Sequence, residues 1–262
     1  MSFHEHLLKQ SAEARQGLLA TPIIQGCLRG EVSLPSYLAF LREAYHHVSH
    51  TVPLLRACKA ALPERLRWLD GALDEYIAEE AGHDEWILDD IRACGGDAEA
   101  VRHGRPGHAT EVMVAYAYGC IARGHPLAFF GMVHVLEGTS VSLALMAADA
   151  IQTPLRLPDV AFSYLRSHGT LDVEHTAHFA RLMDRIDDPQ DQADIVHAAR
   201  AFFRLYQEWR VESLRPSGCA GAWQSCRPCA HRAGRSGARP GARGSRRRTR
   251  RPRSRSAPRP TR

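Results

Sequence analysis

His168-Gly169-Thr170-Leu171-Asp172-Val173-Glu174-His175 is the stretch from which the rest of the chain can be read. On an α-helix His168, Asp172 and His175 fall at i, i+4 and i+7, stacked on a single face. The stripe continues as Leu165 upstream and as Phe179 and Leu182 downstream. The face is therefore otherwise apolar and is expected to be buried. A carboxylate and two imidazoles are costly in a dry interior unless something satisfies them, and a metal ion satisfies all three.

Two earlier segments carry the same signal. Glu80 and His83 form a Glu-x-x-His pair, expected on one helix and flanked on its face by Leu73, Tyr76 and Ile87. Glu137 is a lone acid in the otherwise apolar stripe of Phe130, Val133, Val141 and Ala144. Three carboxylates and three imidazoles make a ligand set for two iron or manganese ions. Thiolates are absent from the pattern, which disfavours iron–sulfur clusters and structural cysteine–zinc sites. Zinc rarely needs six protein ligands. Inward-facing Glu and Glu-x-x-His groups on separate helices are a known way for bundles to hold paired iron ions. Iron with open positions can bind O2 and points to an oxidase, whereas zinc or manganese would point to hydrolysis.

The surrounding sequence reads as helix after helix. Helices are expected over residues 3–19 and from Pro22 to Leu28, followed by a long one from Ser33 to about Leu62 that Pro53 should kink. Pro63 opens the helix with Glu80 and His83, which stops at Gly95-Gly96. Further helices are expected near 109–122, after Gly124-His125-Pro126, from Leu157-Pro158 to Asp187-Asp188, and from Pro189 to about Leu214. No run of alternating β-branched residues bounded by turn signals appears, so strands are not expected.

Charge divides the 262 residues near position 215. Residues 216–262 hold 14 arginines, no lysine and no acid, leaving 20 basic side chains against all 29 acids in the body, a net of −9. An acidic body argues against a nucleic-acid-binding surface on the folded part. The expected division is a helical domain over 1–214 and a disordered Arg/Gly/Pro/Ser-rich tail over 215–262. That tail is a polyanion binder touching nucleic acid non-specifically, an inert extension, or the product of a shifted reading frame in GC-rich DNA. The abrupt loss of acids favours the last. There is no basic segment followed by an apolar one at the start and no unbroken apolar span, and the scattered cysteines suggest no disulfide framework. The expectation is a cytoplasmic protein without a membrane segment.

Together, the three ligand-bearing stretches resemble the haem-oxygenase-like di-iron oxidases, within the wider TenA/PqqC-like superfamily. The His-x3-Asp-x2-His element is met residue for residue by His168, Asp172 and His175; Glu137 stands in Val135-Leu136-Glu137-Gly138, and Glu80 and His83 supply the first pair. Glu79, one turn before His83, is an alternative to Glu80. The resemblance covers roughly residues 1–214. It implies an all-α, haem-oxygenase-like bundle of about seven helices, with Glu80, His83, Glu137, His168, Asp172 and His175 holding two Fe(II) ions or manganese. It also implies O2 as co-substrate and a peroxo-diiron intermediate acting on a small organic substrate of the amino-acid, amine or fatty-acid type. An external electron donor and a homodimer are implied partners.

Tyr45, His46, His47 and His50 crowd one turn and a half of the long helix, with His46 and His50 four residues apart. Together with His134, three residues before Glu137, the set Tyr45, His46 and His50 makes the candidate substrate pocket; a partly buried polar seam is the competing reading. A carboxylate substrate would be met by arginine or a protonated histidine, since the body has only Lys9 and Lys59. Two other functions use the same bundle. One is a TenA-like, metal-independent aminohydrolase of thiamin-related pyrimidines with Cys120 as the tempting nucleophile. The other is a non-catalytic helical binding protein.

Overall fold

The computed structural model describes residues 1–213, apart from the side chains of residues 142, 169–174 and 209–213; the tail expected to be disordered lies outside the described residues. All regular structure among the described residues is helical, as eleven α-helices and three 3-10 turns.

Local sequence explains where the first helices start and stop. Helix α1 (Phe3–Leu19) begins at a capping box, in which Ser2 Oγ accepts the Glu5 N–H while the Ser2 N–H donates to the Glu5 carboxylate. Helix α2 (Pro22–Leu28) opens on a proline and is followed by Gly30. Helix α3 (Leu34–Val48) is capped by Ser33. The long helix expected as far as Leu62 is two helices, because the chain breaks at Ser49-His50 and restarts as α4 (Thr51–Ala61). Pro53 accounts for the break, since its ring would clash with the carbonyl four residues back while fitting the first turn of a new helix.

The segment opened by Pro63 also divides. A 3-10 turn (Glu64–Leu69) leads into α5 (Asp70–Glu79), and α6 (His83–Ala93) starts after a corner at residues 80–82. A short helix that the sequence reading did not assign, α7 (Ala98–Arg102), is capped by Asp97. Beyond it run α8 (His108–Ala122), α9 (Phe129–Leu155), α10 (Ser163–Met183) and α11 (Pro189–Ser213).

Helix α9 forms the spine of the bundle, packed on α10 and α11, while α11 also lies against α1, α8 and α3, and α6 bridges α3 and α10. Phe129 and Phe130 on α9, and Phe202 and Phe203 on α11, are fully buried. Gly131 allows that close approach, because a Cβ there would stand 2.6 Å from the Ala199 amide nitrogen. Among the described residues no single helix is long and apolar enough to cross a membrane.

Candidate metal centre

Glu80 and His83 do not share a helix. Glu80 ends α5, its N–H bonded to the Tyr76 carbonyl, and His83 is the first residue of α6. Gly82 makes the corner at φ +91°, a left-handed conformation that costs other residues about 1–2 kcal/mol. The corner turns the two side chains toward each other, so that His83 Nδ1 and Glu80 Oε2 lie 3.0 Å apart with both side chains nearly buried. Burial pushes the Glu80 carboxyl up, but the hydrogen bond from His83 and the nearby imidazoles of His83, His168 and His175 outweigh it and hold the group below its ordinary value.

Helix α10 brings His168 to this corner. The rings of His83 and His168 meet edge to face with centroids 4.9 Å apart, and Trp86 stacks on His83 at 4.1 Å. His168 Nδ1 lies 3.0 Å from the Tyr164 carbonyl oxygen. A carbonyl only accepts, so Nδ1 carries the proton and the neutral ring keeps its lone pair on Nε2. Glu80, His83 and His168 each offer a ligand atom, and these atoms all lie within 4.8 Å of one another. Two imidazoles and one carboxylate gathered this closely and largely buried fit a divalent metal, and in chemistry match the facial triad of non-haem Fe(II) sites.

Comparison with known proteins bears on this donor set. The sequence profile of the family described as iron-containing redox enzymes matches residues 38–207, which spans all three ligand-bearing stretches. The chain belongs to that family. The bundle is similar to a domain of unknown function with a haem-oxygenase-like fold from Shewanella denitrificans, at TM-score 0.71 and 22% identity, covering 81% of this chain and 92% of that one. It is also similar to a TenA homologue from Pseudomonas syringae pv. tomato (TM-score 0.67, 11% identity, 80% and 91% covered). A third likeness is to haem oxygenase-1 from the cyanobacterium Synechocystis in complex with haem (TM-score 0.64, 13% identity, 81% and 92% covered). No curated protein matches the chain. The fold of this iron-containing redox enzyme family member is thus haem-oxygenase-like.

The other predicted ligands stand around the trio. His175 is buried two turns along α10 from His168, with its Nε2 3.2 Å from Glu79 Oε2. The structure therefore sets Glu80 against His83 and Glu79 against His175. Glu137, on α9, lines an inner cavity of about 80 Å³ together with Glu80, His168, His47, Tyr76 and Tyr206. The side chain of Asp172 lies outside the described residues.

A second compartment, of about 70 Å³, adjoins the first across a wall of Ser140, Tyr164, His168 and Tyr206. Its lining is mostly apolar, including Ile24, Leu28, Phe40, Leu143, Ile151 and Leu165. Neither compartment is lined by lysine or arginine among the described residues. On the outer side of the trio, His83, Trp86, His175, His178, Glu79 and Arg181 line a depression of about 450 Å³. Glu80 and His168 thus face the inner compartments, while His83 lines the outer depression.

The expected pocket set of Tyr45, His46, His50 and His134 does not line this cavity. The helix break at Ser49-His50 undoes the i, i+4 pairing of His46 and His50, and His50 turns to α8, where its Nδ1 lies 3.1 Å from Tyr118 Oη. His46 is buried edge-on to Tyr45, and Tyr45 faces Arg102. His134 points away from Glu137 into the α1 seam, with Nε2 3.0 Å from Ser11 Oγ and its ring stacked on Phe179. Burial, reinforced by His4 and Arg15, pushes the His134 imidazole down to about 4. From the crowded turn it is His47 that reaches the chamber. Tyr164, Tyr206 and Trp86 complete the walls without having been predicted. Tyr164 precedes His168 by four residues and Trp86 follows His83 by three, so helical spacing from each ligand would have found both.

Proposed function

We propose that this chain is an O2-activating non-haem di-iron oxidase or oxygenase of a small organic substrate. The observation that carries the reading is the convergence of Glu80, His83 and His168 within 4.8 Å beside mostly apolar pockets. Those three residues would hold one Fe(II), or manganese. Glu137, Asp172 and His175, with Glu79 or Glu80, would hold the second. Fe(II) in such a site supplies open positions for O2 and electrons to reduce it.

The chain's own residues prepare the site for that chemistry. The Tyr164 carbonyl holds the His168 ring through Nδ1, so that Nε2 is the nitrogen that would ligate. The apolar compartment excludes water from a reaction that would otherwise leak its oxidant. It also accommodates the apolar portion of a substrate of amino-acid, amine or fatty-acid type, with the reacting carbon or nitrogen on the Glu137 and Tyr206 side. Because no lysine or arginine among the described residues lines the inner chamber, a substrate carboxylate would be met there by His47, by hydroxyls such as those of Thr51, Ser140 and Tyr206, or by the metal itself, unless it reaches Arg181 in the outer depression. An external electron donor restores Fe(II) between turnovers in this scheme.

The test is O2 uptake by protein loaded anaerobically with Fe(II), against a panel of amino acids, alkylamines and fatty acids. Substrate-stimulated uptake in the wild type that disappears in His168→Ala is expected. The aminohydrolase reading predicts instead hydrolysis of thiamin-type pyrimidines by metal-free protein. It finds less support in the site, since Cys120 lines neither compartment and is buried on α8 bonded to Tyr116. Uptake indifferent to every substrate, with no hydrolysis, would leave a binding protein.

A further inference from the structure

Asp90 is wholly buried, lies two turns along α6 from His83, and points at the start of the other ligand helix. Its Oδ1 accepts the Ser163 N–H at 2.9 Å and the Ser163 hydroxyl, and its Oδ2 accepts the Tyr164 N–H at 3.0 Å. The two N–H groups belong to the first turn of α10, where no intrahelical acceptor is available and the residue before the helix, Phe162, has no side-chain acceptor to cap them. The capping carboxylate thus comes from a different helix. The same Tyr164 whose N–H is held by Asp90 offers its carbonyl to His168 Nδ1 at 3.0 Å.

We propose that Asp90 is a positioning residue of the metal centre, locking the start of α10 onto α6 so that the Tyr164 carbonyl fixes the tautomer and aim of His168. The inference rests on the metal-centre reading, which it extends from the ligands to the group that registers their two helices. A negative charge at a helix N-terminus also favours the helix as a whole, so a purely structural role must be separated from a positioning one. Glu43 provides the matched control. It is equally buried and accepts the Gly107 N–H at 2.8 Å and the Thr110 hydroxyl at 2.5 Å, capping α8, which carries no predicted ligand.

The experiment titrates Co(II) into metal-free wild type, Asp90→Asn and Glu43→Gln, and records imidazole 15N spectra of the same metal-free proteins at pH 8. Asp90→Asn is expected to weaken Co(II) binding by about 10- to 100-fold, the range for groups that orient metal ligands, and to turn His168 from a single Nδ1–H tautomer into a mixture. Glu43→Gln should lower thermal stability and leave both readouts unchanged. Equal Co(II) affinity and an unchanged His168 tautomer in Asp90→Asn, or the same changes in Glu43→Gln, would overturn the proposal. Should Asp90→Asn not fold, Ser163→Ala removes one of the three donors and is expected to weaken Co(II) binding about threefold; no change there would count against it. If the wild type takes up no Co(II), the metal-centre reading fails, while the 15N spectra still decide the role of Asp90.

Discussion

Glu79 and Glu80 are adjacent in sequence but differ in surroundings: Glu80 is nearly buried against His83, and Glu79 is half exposed against His175. Glu80→Gln removes the charge of the triad and is expected to lower Fe(II) affinity by more than about 100-fold, whereas Glu79→Gln should cost less than about tenfold. Anaerobic Fe(II) titration of the two variants checks the ranking, and equal losses would contradict it. His134 sets a second prediction. The unfolded chain takes up a proton near 6.5, but the buried imidazole does so only near 4. The unfolded state therefore binds more protons between these values, and as pH falls from 6.5 to 4 the fold loses on the order of 3 kcal/mol, with no such effect above 6.5. His134→Gln should flatten that dependence in urea unfolding at pH 7 and pH 5; an unchanged slope would show that another group is responsible. At this scale the gathering of His168 and His175 near Glu79 and Glu80 was legible in sequence, because imidazoles interrupting an apolar helix face are costly to bury without a partner. The choice of His47 over His46 was not legible, since it depends on where α3 ends.

The elements place the donors through two breaks that helical periodicity does not register. Pro53 stops α3 from running into α4 and sends His50 to α8. Gly82, between the end of α5 and the start of α6, lets the chain turn, converting Glu-x-x-His from a stripe on one helix into a pincer between two. A glycine and a proline inside apolar periodicity mark such corners, although spacing alone gives neither the angle nor the direction of the turn. Gly82→Ala meets no neighbour within 4 Å, so its effect should come from backbone conformation alone. The expected outcome is a loss of about 1–2 kcal/mol in chemical unfolding together with about tenfold weaker Fe(II) binding. Gly131→Ala tests a different constraint, since the new methyl would press on the backbone of α11. It should destabilise the bundle by about 2–3 kcal/mol, and an unchanged unfolding midpoint would show that α9 and α11 can separate without cost.

In the whole molecule, the bundle holds two adjoining, mostly apolar pockets, to whose lining Glu80, Glu137 and His168 contribute. Its all-helical class was readable from periodicity and punctuation, and the family resemblance carried the arrangement of the helices; the helix count was low because corners and short capped turns interrupt the longer patterns. The arginine-rich residues 216–262 lie beyond the stretch that matches the family. Removing them is expected to leave turnover and iron content unchanged, and a loss of more than about twofold in either would give the tail a role. The sharpest probe of the proposed paired-iron centre is an anaerobic Fe(II) titration followed by Mössbauer spectroscopy, on the wild type and on His168→Ala and His175→Ala. Two ferrous ions per chain, with His168→Ala and His175→Ala each losing iron while remaining helical, is the predicted result. No iron uptake by the wild type, or full occupancy retained in both variants, would contradict it.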